Sequence, residues 1–144
     1  MRLLLTLSIT LLSLMMPVES GWAAGEARLW QVVVPLEDRF SPFSITIHVG
    51  DSVQWTNTDA DDHTVVSDDQ FTTAGHKGVN HLLQANGGTF TLTFTRTGVF
   101  VYFCRFHAHL DAQSQPVAPG PDGGIQDPSG NFGTPMMGVV VVRP

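Results

Sequence analysis

Hydrophobic and polar residues alternate along most of this chain. FSITIHV, residues 43–49, puts Phe43, Ile45, Ile47 and Val49 on one face and Ser44, Thr46 and His48 on the other. TFTLTFTR, residues 89–96, repeats the pattern with Phe90, Leu92 and Phe94. ARLWQVVVP (27–35), VFVYFC (99–104) and the terminal GVVVVRP are dense in β-branched and aromatic residues, and SVQWTNT follows a Gly50-Asp51 turn signal. Period-two patterning with regular turn signals, and no convincing helical period, predicts an all-β sandwich or barrel. Two segments break the pattern. Residues 67–88 read as a short helix or an irregular loop. Residues 108–135 are richer still in Pro, Gly, Asn, Asp and Gln; a loop that long in a compact domain is usually functional or disordered. No repeat, linker or second domain is visible.

The N-terminus reads differently. Arg2 precedes an apolar run, Leu3 to Met16, broken only by Thr6, Ser8, Thr10 and Ser13 and ended by Pro17. That is the build of a secretory signal peptide, with cleavage after Ser20 or Ala23. It is too short for a spanning helix, which needs about 20 apolar residues. The expected division is a signal peptide over 1–23 and one β domain over 24–144, exported to the periplasm or its equivalent. No cysteine stands near the cleavage site, which argues against a lipid anchor. The formal charge of −6 and the lack of a basic cluster make nucleic acid a poor partner.

The chain has one cysteine, Cys104, so an internal disulfide is impossible. An exposed thiol in an oxidising compartment would be oxidised, so something should protect it. His107 follows three residues later and His109 five. A thiolate at the end of an apolar strand and an imidazole across a turn can face one centre, and that donor pair suits copper and zinc. His63, after the acidic turn NTDADD, is the best third candidate. Met136 or Met137, just before the last strand, is the fourth. One Cys, two His and a weak thioether form the ligand set of a blue-copper electron-transfer site.

Four motifs then stand in order: I-x-I-x-x-G-D-S-V-x-W-x-N over 45–57, H-T-V-V over 63–66, T-G-x-F-x-Y-x-C-x-x-H over 97–107, and M-x-G-x-V-x-V from Met136. Together they resemble the cupredoxins, the plastocyanin, pseudoazurin and halocyanin group of small blue copper proteins. The resemblance implies a Greek-key β-sandwich with two long loop insertions. It also implies one copper ion cycling between Cu(I) and Cu(II) on His63, Cys104, His107 and Met136. The family spacing favours His107 over His109, and Met136 over Met137. Electrons would pass at the His107 edge to a redox protein such as a c-type cytochrome or an oxidoreductase, and the chain would be a carrier, not an enzyme. Two departures stand out. His107 and Met136 are 29 positions apart, where plastocyanin-like chains leave only a few. An Asn usually stands next to the first ligand His; here Asp62 precedes His63.

Simpler roles surround these residues. His48 reads as a surface histidine, and Asp59, Asp61 and Asp62 as a solvated turn. His76, His81 and His109 could build a second metal site, which would suit copper delivery. An open axial position would suit a small copper enzyme.

Overall fold

The computed structural model describes residues 26–125 and 133–144, so the expected leader at 1–23 lies outside the described residues. Ten strands follow in order: β1 (Leu29–Val34), β2 (Ser44–His48), β3 (Ser52–Asn57), β4 (His63–Ser67), β5 (Val79–Leu83), β6 (Thr89–Thr93), β7 (Gly98–Phe103), β8 (His109–Leu110), β9 (Pro116–Val117) and β10 (Met137–Arg143). A three-stranded sheet, β1-β3-β6, faces a five-stranded one, β2-β10-β7-β4-β5, and β8 pairs with β9. The fold is an all-β sandwich, as the alternation predicts, with the Greek-key form that the resemblance implies. The pairing is mixed: β1 runs parallel to β3 and β2 parallel to β10, the other ladders being antiparallel.

The inward residues of both sheets build one core. Val32, Val34, Ile47, Val53, Trp55, Phe94, Phe100, Tyr102, Val140 and Val142 are all buried there. Trp55 lies at its centre, stacked on Phe90 at 5.8 Å and edge-on to Tyr102 at 5.2 Å. Tyr102 pairs with Gly138 across the β7–β10 ladder. A Cβ at position 138 would strike the Tyr102 hydroxyl, so the glycine makes room for the ring.

Two expectations change. Phe43 and Val49 are 55% and 43% exposed, because they lie beyond the ends of β2, an edge strand whose inward residue is Ile47. Residues 67–88, expected as helix or loop, contain strand β5. It pairs with β4 through His63↔Leu83 and Val65↔His81. Its alternation is hidden in the sequence, because His81 takes an inward position and Leu82, 42% exposed, an outward one.

Asp51 ties the pole opposite the one where β7 ends and β4 begins. Its carboxylate accepts from Arg28 N at 2.8 Å, Trp30 Nε1 at 2.9 Å and His48 N at 3.0 Å, joining the entry to β1, the end of β2 and the start of β3. Burial alone would push this carboxyl up; the donors outweigh it and hold it below the usual carboxylate range. A lowered pKa stabilises the fold above the unfolded value, about 3.9, and the contribution fades as pH falls through the lower folded value. Asp51→Ala is therefore expected to cost about 2 kcal/mol at pH 7 in urea unfolding of the metal-free protein. The gap from wild type should narrow below about pH 4; a gap independent of pH would show that the charge plays no part.

Candidate metal centre

The strand ends deliver the site. His63 opens β4, Cys104 follows the last residue of β7, and Met136 precedes β10. A turn closed by His107 N donating to Cys104 O at 3.1 Å brings His107 back over the sulfur. One donor atom from each of His63, Cys104 and His107 lies within 4.8 Å of the other two. His63 Nδ1 is 3.7 Å from Cys104 Sγ, and the two imidazole rings are 5.1 Å apart at 38°. Cys104 and His63 are fully buried and His107 is 6% exposed, so the thiol is shielded.

Met136 is also fully buried and packs in the same cluster as Cys104. Its carbonyl accepts from Cys104 N at 2.9 Å, and its N–H donates to His107 O at 3.4 Å. Met137 faces a separate small cluster with Val66, Phe103 and Ala108. His109 sits apart on β8, with Nδ1 2.7 Å from Pro119 O. His76 packs edge-on to Phe94 and His81 stacks on Phe90. Among the described residues, no group of metal-type donors includes His76, His81 or His109.

The donor set fits a metal on its own evidence. Nδ1 of His107 is buried with no hydrogen-bond partner, a costly orphan unless an ion takes its lone pair. The neighbouring Cys104 sulfur, and then the Asp38 charge, hold this imidazole's proton affinity above the usual range, against burial and the nearby His63 ring. Thiolate and imidazole are the ligands copper favours.

The long insertion folds back rather than displacing Met136. Asp122 N donates to Phe106 O at 2.8 Å, and Ile125 N to Thr134 O at 2.8 Å. Gly120 lies so close that a Cβ would run into Phe106 O and Ala108 N. Gly120 and Asp122 therefore lie against the His107 turn, and Ile125 pairs with Thr134.

Three further residues touch the site, and the sequence reading missed their roles. Thr64 Oγ1 accepts from Arg105 N at 2.9 Å, which leaves its own proton free to donate to Cys104 Sγ at 3.7 Å. It stands next to His63 and aims a hydroxyl at the sulfur. Asp59, expected in a solvated turn, is 5% exposed and sits 3.2 Å from His63 Nε2; Asp61 and Asp62 are exposed as expected. Asp38 Oδ1 lies 3.7 Å from His63 Nε2 and 3.6 Å from His107 Nε2.

A β-sandwich that gathers a buried thiol and two imidazoles at one end, with a buried methionine beside them, has the form of a cupredoxin. Comparison with known proteins agrees. The sequence profile of the copper binding proteins, plastocyanin/azurin family, matches residues 37–113, a span that contains His63, Cys104 and His107 and stops short of Met136. Plastocyanin of Scenedesmus fuscus is 32% identical over 72 residues, 47% of this chain and 74% of its own. Chloroplastic plastocyanin of Tetradesmus obliquus is 38% identical over 72 residues, and the chain spans half of that relative's length. Among solved structures, amicyanin from Paracoccus versutus aligns with a TM-score of 0.51 at 19% identity, covering 83% of each chain. A purple cupredoxin from Nitrosopumilus maritimus aligns at 0.50 and 23% identity, covering 79% of this chain and 99% of its own. At those identities the structures speak for the fold. The chain belongs to the plastocyanin/azurin family of copper-binding proteins, and copper is its cofactor.

Hydrogen bonding to a thiolate weakens it as a donor and favours the reduced ion. Thr64→Val is expected to lower the reduction potential of the copper-loaded protein by roughly 40 mV, the equivalent of one hydrogen bond of about 1 kcal/mol. Voltammetry would read the shift, and an unchanged or raised potential would remove Thr64 from the account.

Proposed function

We propose that this protein is an exported carrier of single electrons, in which His63, Cys104 and His107 would hold copper and Met136 would supply a weak thioether. The observation that carries the reading is the convergence of three buried donors within 4.8 Å on the ends of β4 and β7. Bound copper supplies the one-electron couple between Cu(II) and Cu(I). The chain's part is to hold the donors still. Each is anchored to a strand end or a hydrogen-bonded turn inside a packed core, so little rearrangement accompanies a change of charge. Burial of Cys104 keeps oxidants from the sulfur.

The same features weigh against a small copper enzyme, which needs a position open to substrate. Met136 is fully buried and its backbone is bonded to Cys104 and His107, so its side of the site is filled by protein. Delivery of copper to another protein would ask for accessible donors, whereas these are enclosed.

Partners would meet the His107 end. A cleft there is lined by Asp38, Asp61, Asp62, Phe106, His107 and Asp122, the last contributed by the insertion. That acidic rim suits a redox protein with a basic face, such as a c-type cytochrome, because complementary charge steers encounter. Periplasmic export is supported by the apolar N-terminal run, and among the described residues no helix is long and apolar enough to cross a membrane.

Loading with Cu(II) should produce an intense visible thiolate-to-copper band, and the loaded protein should oxidise a reduced c-type cytochrome. Cys104→Ser should lose both. Equal weak absorption in the two proteins would mean that the thiol is not a ligand. An intense band without electron exchange would leave the site and overturn this choice of partner.

A further inference from the structure

Each imidazole of the site has a second nitrogen, and carboxylates stand beside both. His63 turns Nδ1 towards the Cys104 sulfur and Nε2 towards Asp59 Oδ2, 3.2 Å away. Asp59 is held in place from several sides. Its Oδ1 accepts from Ala60 N at 2.6 Å, its N–H donates to Asn57 Oδ1 at 3.0 Å, and its carbonyl accepts from Asn86 N at 2.8 Å. Asn57 is fully buried and clamps the loop by donating to Asp61 O at 2.8 Å and Leu83 O at 3.0 Å. The carboxylate is thus aimed by the fold.

Asp38 arrives from the loop between β1 and β2, at a left-handed φ of 49° that Asp tolerates better than most residues. Its Oδ1 lies between the far nitrogens, 3.7 Å from Nε2 of His63 and 3.6 Å from Nε2 of His107. Arg39, next in sequence, pairs with Glu37 instead. Among the described residues, the ion-pair contacts of Asp38 and Asp59 are with these two histidines alone.

A neutral imidazole has one N–H and one lone pair. A carboxylate at Nε2 requires the proton there, which leaves the Nδ1 lone pair for the metal. It also makes the ring a more basic donor. Negative charge in a poorly hydrated setting favours whichever form of the site carries more positive charge.

We propose that Asp59, assisted by Asp38, is a positioning residue of the copper site: it holds His63 as the Nε2–H tautomer with Nδ1 towards the metal, and the two carboxylates together bias the site towards Cu(II). The proposal rests on the reading of His63 and His107 as ligands. Its effect opposes that of Thr64, which draws density from the sulfur. The reduction potential is then a balance between one donor at the thiolate and two carboxylates behind the imidazoles.

The test uses Asp59→Asn, which keeps shape and an acceptor but removes the charge, Asp59→Ala, which removes both, and Asp38→Asn at a half-exposed position. In copper-loaded Asp59→Asn the preference for Cu(II) over Cu(I) should fall about tenfold, an upward shift of about 59 mV for one electron, with the intense band retained. Asp38→Asn should shift it the same way by less, and it supplies the reading if Asp59→Asn does not fold. In metal-free wild type, nitrogen-15 NMR should find the His63 ring as the Nε2–H tautomer; in Asp59→Ala the tautomers should mix. Unmoved potentials in both Asn variants, with the band intact, would overturn the proposal. So would a His63 ring carrying its proton on Nδ1 in the metal-free protein. A wild type without the intense band would refute the ligand reading instead, and the tautomer of the metal-free ring would still decide whether Asp59 orients His63.

Discussion

Cys104 N–H reaches the carbonyl of Met136, and Met136 N–H reaches the carbonyl of His107, so the pairing of β7 with β10 continues past both strands into the turn that carries His107. The rest of the site depends on this exchange. It fixes the distance between the two banks of an insertion that runs from residue 108 to 135. Loop-closure entropy rises only slowly with length, so extra residues between fixed banks cost little. Among its described residues, the insertion forms the β8–β9 pair and brings Gly120 close to the His107 turn. Residues can thus be added between the banks without moving the groups at either end.

Around the three donors the protein arranges opposing fields. Thr64 donates a hydrogen bond to the sulfur, and its orientation is set by the Arg105 amide. Asp59 and Asp38 stand on the far side of the imidazoles. Both sets act at short range, and Thr64 and Asp59 do so out of bulk water, where each charge or dipole counts for more than it would at the surface. A packed β-sandwich can hold such a balance because its interior does not relax to cancel it.

Much of this was legible in the sequence. Alternation marked β2 and β6, density in β-branched and aromatic residues marked β1, β7 and β10, and the family spacing favoured Met136 over Met137. The colinear motifs pointed to His63, Cys104 and His107, which the fold brings together. The losses have physical causes. β5 was hidden because a histidine can take an inward place by stacking, as His81 does on Phe90, while Leu82 faces out at an edge. Asp59 looked like its neighbours Asp61 and Asp62, since three acids in a turn carry no mark of which one the chain folds inward. Thr64 reads as an ordinary strand residue until the end of β7 is laid beside it. Local pattern reports which face a residue takes; contacts between distant segments need the fold.

On the proposed reading, one thiolate and two imidazoles hold copper in both oxidation states with little change. X-ray absorption at the copper edge, on the oxidised and then the reduced protein, reads this. One sulfur and two imidazole nitrogens are expected at short distance in both spectra, with small differences between them. A copper environment of nitrogen and oxygen alone, or the loss of a histidine on reduction, would contradict it.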